Sequence, residues 1–181
     1  MCVTHAEKPM GGAFQPADRQ PRDAAAGAVA PLPSSRVTIQ RMDHVGIVVD
    51  DLEAATAFFV ELGLKLQGEG TVEGGWVDRV VGLEGVRAEI AMVETPDGHG
   101  RLELVKFHSP PTQTGDPNAP ANTPGLRHLA FLVDDIHAVV ANLEARGTEL
   151  VGELVRYEDS YWLCYVRGPE GIIVELAEKI G

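Results

Sequence analysis

The chain has 181 residues, 44% of them hydrophobic, and a formal net charge of −12. That length suits one domain or two small joined modules, and the apolar content can fill a core. So acidic a chain offers no basic surface to a nucleic acid, no apolar run approaches the roughly 20 residues of a membrane span, and no signal-like segment is expected at the start.

Residues 1–36 are rich in Ala, Gly and Pro and nearly free of aromatics. They bury too little apolar surface to offset their ordering entropy, so a disordered or loosely packed tail is expected, with no role for its His5. From residue 37 the pattern changes. Residues 37–49 alternate as a strand, with His44, Gly46 and Val48 on one face. Asp50 and Asp51 offer an N-cap. Leu52, Ala55, Phe59 and Leu62 recur at helical spacing, and Gly63 stands where a helix ends. Strand-like runs follow over residues 65–71, 75–81, 88–94 and 100–106.

A Pro- and Asn-rich linker over residues 108–125 leads to a second copy. His128 aligns with His44, Asp134 and Asp135 with the first Asp pair, and Gly147 with Gly63, at a constant offset of 84 residues. Residues 129–133 read as strand. Ile136, Val139, Val140 and Leu143 form a helical stripe. Further strands are expected over 149–156, 161–166 and 172–177. An internal repeat decides the fold before any single motif does. The expectation is an α+β fold of two tandem βαβββ modules, 37–107 and 126–181, whose curved sheets surround a metal cleft.

Each module carries a His in its first strand and a Glu in its last: His44 with Glu103, and His128 with Glu175. Alternation lets each side chain point to one face of its sheet. Taken singly, a strand His is an ordinary structural residue and a strand Glu an ordinary solvated one. Their recurrence at equivalent places argues for a shared site. Two imidazoles and two carboxylates suit one divalent metal ion such as Zn, Ni, Co, Mn or Fe.

DHVGIVVDDLEAATAFF, RHLAFLVDDI and RGPEGIIVEL resemble the vicinal oxygen chelate superfamily, which includes glyoxalase I, extradiol dioxygenases and bleomycin-binding proteins. The resemblance covers residues 39–180, with Gly168 where the family has Asp. It implies a metal held by His44, Glu103, His128 and Glu175, a set most similar to that of glyoxalase I. The implied activity is that of a metal-dependent lyase, isomerase or epimerase. Such an enzyme chelates vicinal oxygens of a small substrate and stabilises an enolate, with Glu175 the better catalytic base and Glu103 the second. The alternatives are an Fe(II) extradiol-type dioxygenase and a non-catalytic antibiotic-binding resistance protein. Proteins of this kind are often homodimers, so a homodimer is expected.

The remaining residues have plainer readings. Two cysteines, Cys2 and Cys164, make no disulfide framework, so a reduced, cytoplasmic setting is expected, with Cys164 a core residue. His99, His108 and His137 read as surface residues. Arg127 precedes His128, so alternation assigns it to the opposite face, in a structural salt bridge. Trp76, Tyr157, Tyr161 and Trp162 fit a cleft wall or core packing equally well.

Overall fold

The computed structural model describes residues 39–181, of which Gln40–Gly181 form one compact unit. The expected N-terminal tail, with Cys2 and His5, lies outside the described residues. No helix among the described residues is long and apolar enough to cross a membrane.

Two modules follow one another. The first runs β1 (Val45–Val48), α1 (Leu52–Glu61), β2 (Lys65–Glu73), α2 (Gly75–Val81), β3 (Arg87–Glu94) and β4 (Arg101–Ser109). The second runs β5 (His128–Leu132), α3 (Ile136–Glu144), β6 (Glu149–Leu150), β7 (Val155–Tyr157), β8 (Tyr161–Arg167), a 3-10 turn at Pro169–Gly171, and β9 (Ile173–Lys179). The sheet orders are β1-β4-β3-β2 and β5-β9-β8-β6, with β7 also paired to β8. In each module the first strand lies parallel to the last, and the remaining pairings are antiparallel. The α+β fold of two βαβββ modules is therefore what the repeat implies.

The helices begin where the Asp pairs stand. Asp51 accepts a hydrogen bond from the Ala54 N–H, and Asp135 one from Ala138. Each cap satisfies a backbone donor that the helix itself cannot. Further cover for the helix starts comes from two glutamates. Ile136 N–H donates to Glu178 of its own module at 2.7 Å. Asp50 and Asp51 N–H both donate to Glu170 of the other module, at 2.6 to 2.8 Å.

Three expected strands differ. Of the strand expected over 37–49, residues 37 and 38 lie outside the described residues, and 39–49 are strand only at Val45–Val48, because β1 is an edge strand whose partner register spans only Leu102–Val105. The run 75–81 is helix, not strand. Gly82 ends it in the left-handed region, the Asp78 carboxylate accepts N–H groups of Gly85 and Val86, and only Val77 of its apolar residues is buried. Valines at helical spacing, with one face against the sheet, imitate a β-rich run. The run 149–156 splits into β6 and β7 around a non-strand segment.

One core serves both modules. Val49, Ala55, Phe58, Phe59, Leu104 and Ala91 from the first join Ile136, Val140, Leu143, Cys164, Val174 and Leu176 from the second. Phe59 is wholly buried and meets the Phe131 ring edge-on at 6.5 Å. Burying a side chain of that size stabilises by about 1.5–3 kcal/mol relative to exposure. Glu61 and Arg146 join the two helix ends as an ion pair. The PEG turn is wedged against this seam. A Cβ at Gly168 would lie 2.7 Å from the Phe58 ring, and one at Gly171, where φ is +85°, would lie 2.3 Å from Pro117 O. The first of these contacts explains why Gly168 replaces the Asp expected from the resemblance.

Candidate functional site

His44 stands one residue before β1, and Glu103 lies on β4 opposite Gly46. Alternation turns Leu102 and Leu104 into the core and leaves Glu103 on the other face. There its carboxylate comes within 3.4 Å of His44 Nε2. The second module repeats this geometry. His128 opens β5, Glu175 lies on β9 opposite Ala130, and Glu175 Oε2 is 3.2 Å from His128 Nε2. Gly46 and Ala130 are small, which keeps the face beside each carboxylate open.

Each imidazole also has its other nitrogen engaged. His44 Nδ1 meets Asp43 Oδ2 at 3.1 Å, and His128 Nδ1 meets the Tyr165 hydroxyl at 3.5 Å. Asp43 is further flanked by Arg101 and Arg41. The hydrogen bond from His44, then Arg101 and Arg41, hold its carboxyl below the usual carboxylate range. The Tyr165 phenol is pushed up, by burial first and by Glu175 second. An imidazole fixed through Nδ1 and offering Nε2 beside a carboxylate is the donor arrangement that divalent cations take. The side chains are 22–41% exposed, so ligand can reach them.

The four expected site residues thus form two pairs, His44 with Glu103 and His128 with Glu175. Among the described residues, no three His, Cys, Asp or Glu side chains converge in a geometry that would hold a metal ion. Each module presents one His–Glu pair. Apolar residues flank both: Met42 and Val48 around His44, Leu126 and Leu132 around His128, exposed between 53% and 75%.

Other expectations fall either way. His99 and His137 are exposed; the His137 ring leans on Trp162 at 5.2 Å. His108 belongs to β4 and pairs with Glu89 at 2.9 Å. Trp162 packs against the core, while Trp76 is exposed on α2. Cys164 is 4% exposed in the core, where burial pushes its thiol up to about 11.

The salt bridge expected for Arg127 is absent among the described residues. Arg127 lies outside β5, so strand alternation does not govern it, and its Nη2 donates to Ala119 O at 3.1 Å. Tyr165 was not anticipated as a site residue. Its signal was available: Tyr165 is ten residues before Glu175, and a tight β8–β9 connection puts the two directly opposite one another.

A family model described as the Glyoxalase/Bleomycin resistance protein/Dioxygenase superfamily matches residues 41–176. The uncharacterized protein YaeR of Escherichia coli is 31% identical over 78% of this chain and 98% of its own length. The uncharacterized protein YwbC of Bacillus subtilis is 29% identical over 77% and 98%. Among solved structures, a glyoxalase family protein from Bacillus cereus is 49% identical, with a TM-score of 0.79, over 82% of this chain and all of that one.

Proposed function

Because the chain belongs to the Glyoxalase/Bleomycin resistance protein/Dioxygenase superfamily, we propose that it is a metal-dependent lyase, isomerase or epimerase of a small oxygenated substrate. The observation that carries this reading is the doubled His–Glu pair, each imidazole turned by an Nδ1 partner so that Nε2 faces its glutamate. His44, Glu103, His128 and Glu175 would hold the divalent cation. When bound, it supplies Lewis-acid stabilisation of negative charge developing on a substrate oxygen.

The chain's own residues do the rest. Glu175 takes the proton from the carbon beside the substrate carbonyl, and Glu103 is the second base. Asp43 holds the His44 ring in place through Nδ1. Tyr165 steadies His128 and offers a hydroxyl to the substrate side of the cleft. Two half-sites need a partner surface, and a second copy supplies it. The pairing of module one with module two of another protomer completes the four-residue set and covers the apolar rim of Met42, Val48, Leu126 and Leu132, which is of the kind that marks interaction surfaces. The assembly proposed is therefore a homodimer, working in the cytoplasm.

Elemental analysis of untagged protein purified without chelators tests this reading, alongside sedimentation velocity. The expected result is about one divalent metal per chain in a dimer, lost in both His44→Ala and His128→Ala. Metal-free protein that stays so after reconstitution overturns the enzyme and leaves a ligand-binding protein. Iron with oxygen consumption would instead select the dioxygenase.

A further inference from the structure

Residues directly opposite on neighbouring strands turn their side chains to one side, so the register divides the open face of the first sheet into rows. The row of the site is Gly46, Glu103, Met92 and Gly68. The next is Val48, Val105, Ile90 and Gly70, and the one after it Phe107, Ala88 and Val72. Met92, Val105, Ile90, Phe107 and Val72 are half-buried, and none of them packs against the core that the modules share, which lies on the sheet's other side. The two rows past Glu103 carry no charged side chain. In the opposite direction the next row holds Arg101 and Glu94, with Arg101 ion-paired to Asp43.

The helix α2 closes the far end. Ala88 lies on the open face yet is 1% exposed, so another element covers it there. Val77 of α2 and Val86 beyond it are buried as well, and neither belongs to the shared core. α2 contacts β2, whose Val72 lies opposite Ala88. From Met92 to Ala88 is four residues along β3, a run of about 13 Å. The result is an apolar floor that begins beside the Glu103 carboxylate and ends under a helix.

Gly70 stands on this floor without a structural need. Its φ lies outside the left-handed region, and a Cβ built on it meets nothing within 4 Å. Glycine weakens a strand interior; where neither a turn nor packing requires it, it marks a place that a ligand or another backbone approaches closely. The second module differs at the equivalent positions. Tyr165, Leu163 and Tyr161 stand where Met92, Ile90 and Ala88 do, Lys179 stands where Phe107 does, and no helix follows β6. Two hydroxyls and an ammonium make that face polar, whereas the first module's is apolar.

We propose that this floor holds the body of the substrate and selects an uncharged one: an aliphatic or aromatic group joined to the vicinal oxygens and extending from the Glu103 row toward α2, with Ile90, Val105 and Gly70 deciding the size accepted. The assignment rests on the metal reading of the His–Glu pairs. Its test is the calorimetric affinity of zinc-loaded protein for straight-chain hydroxamates, from acetohydroxamate to octanohydroxamate. Each offers two adjacent oxygens and a tail of known length. Affinity should rise about three- to fourfold per methylene, the increment of a buried CH₂, and level off where the tail meets α2. Gly70→Val should remove roughly tenfold or more of octanohydroxamate's advantage over acetohydroxamate, and Ile90→Asn likewise. The melting temperature of Gly70→Val should not fall, since the new side chain enters open space on a strand, where valine is favoured. A lower one would make Gly70 a folding residue and overturn its role. Affinity that does not change with tail length overturns the proposal, the result expected if a partner protomer fills the face, and so does an unchanged length profile in Gly70→Val. Protein that takes up no zinc overturns the metal reading instead. The same series on that metal-free protein should still gain with each methylene from a weaker start, and a flat series there overturns the floor as well.

Discussion

The two modules share a scaffold and differ in what surrounds their histidines. In both, a His at the first strand faces a Glu on the last, with a small residue, Gly46 or Ala130, opposite that Glu. Around His44 the neighbours are Asp43, Met92 and an Arg101 already neutralised. Around His128 they are Arg127, Tyr165 and Arg167. The repeated backbone register places a His–Glu pair in each module, while the flanking positions differ. The first module orients its imidazole with a carboxylate. The second surrounds its imidazole with hydrogen-bond donors. The His–Glu pair is common to the modules, and its polar surroundings are what differ.

The strongest way to break this comparison is to remove one histidine at a time. His44→Ala and His128→Ala should each lower metal affinity by more than about a hundredfold, since outer-shell partners alone contribute 10–100-fold. Competition with a chromogenic chelator measures it. Equal losses make the four residues one site; loss in only one variant would reduce the centre to a single module.

Next in size is the division between the glutamates. Glu175→Gln should lower kcat by about 10²- to 10⁴-fold, the usual contribution of a positioned general base. Glu103→Gln should lower it less, with metal content compared in both. Full turnover in a metal-loaded Glu175→Gln protein would remove Glu175 from the base role.

A smaller effect separates the two turns that precede the last strands. Asp97 accepts hydrogen bonds from Thr95 Oγ1 and His99 N–H, all within its own turn. Glu170 instead reaches into the other module, to the start of α1. Glu170→Ala should cost about 1 kcal/mol, as loss of a helix cap does. That is about 2–4 °C in Tm for a chain of this size. Asp97→Ala should cost less, and a calorimetric scan of both variants checks the order.

What the sequence made legible follows from the same comparison. The helices α1 and α3 and their Asp caps were readable because each recurs at an offset of 84 residues, so each copy checks the other; the histidines share that offset, while the glutamates recur at 72. Elements present in one module only had no such check. The helix α2 has no counterpart in the second module, and its valines at 77, 80 and 81 read as strand. Arg127 was assigned by alternation to a strand that begins one residue later. Tyr165 takes its place from the β8–β9 hairpin register, which sets it opposite Glu175 and which the periodicity of either strand alone does not specify. That the four residues form two separate His–Glu pairs is likewise a matter of how the modules pack, which repeat spacing does not encode.

The smallest expected effect concerns a pair of positions inside the core. Cys164 on β8 lies opposite Leu176 on β9, and Ala91 on β3 lies opposite Leu104 on β4. The two are equivalent, and both are buried. A buried free cysteine packs as a small apolar residue, so Cys164→Ala should be nearly silent at pH 7. The difference should emerge in alkali. Burial raises the folded thiol to about 11 from its ordinary value of 9.0. Below pH 9 the thiol is protonated folded and unfolded alike, and its contribution is intact. As pH rises through that window the unfolded chain releases the proton first, so wild-type stability falls. Cys164→Ala lacks this loss. Urea midpoints at pH 8 and pH 10.5 should therefore diverge, with wild type falling further. For the same reason, alkylation of the native thiol at pH 8 should track unfolding rather than reagent concentration. Rapid labelling of folded protein, or parallel midpoints for the two proteins, would mean that Cys164 is solvated and that the second sheet is packed less tightly there than the first is at Ala91.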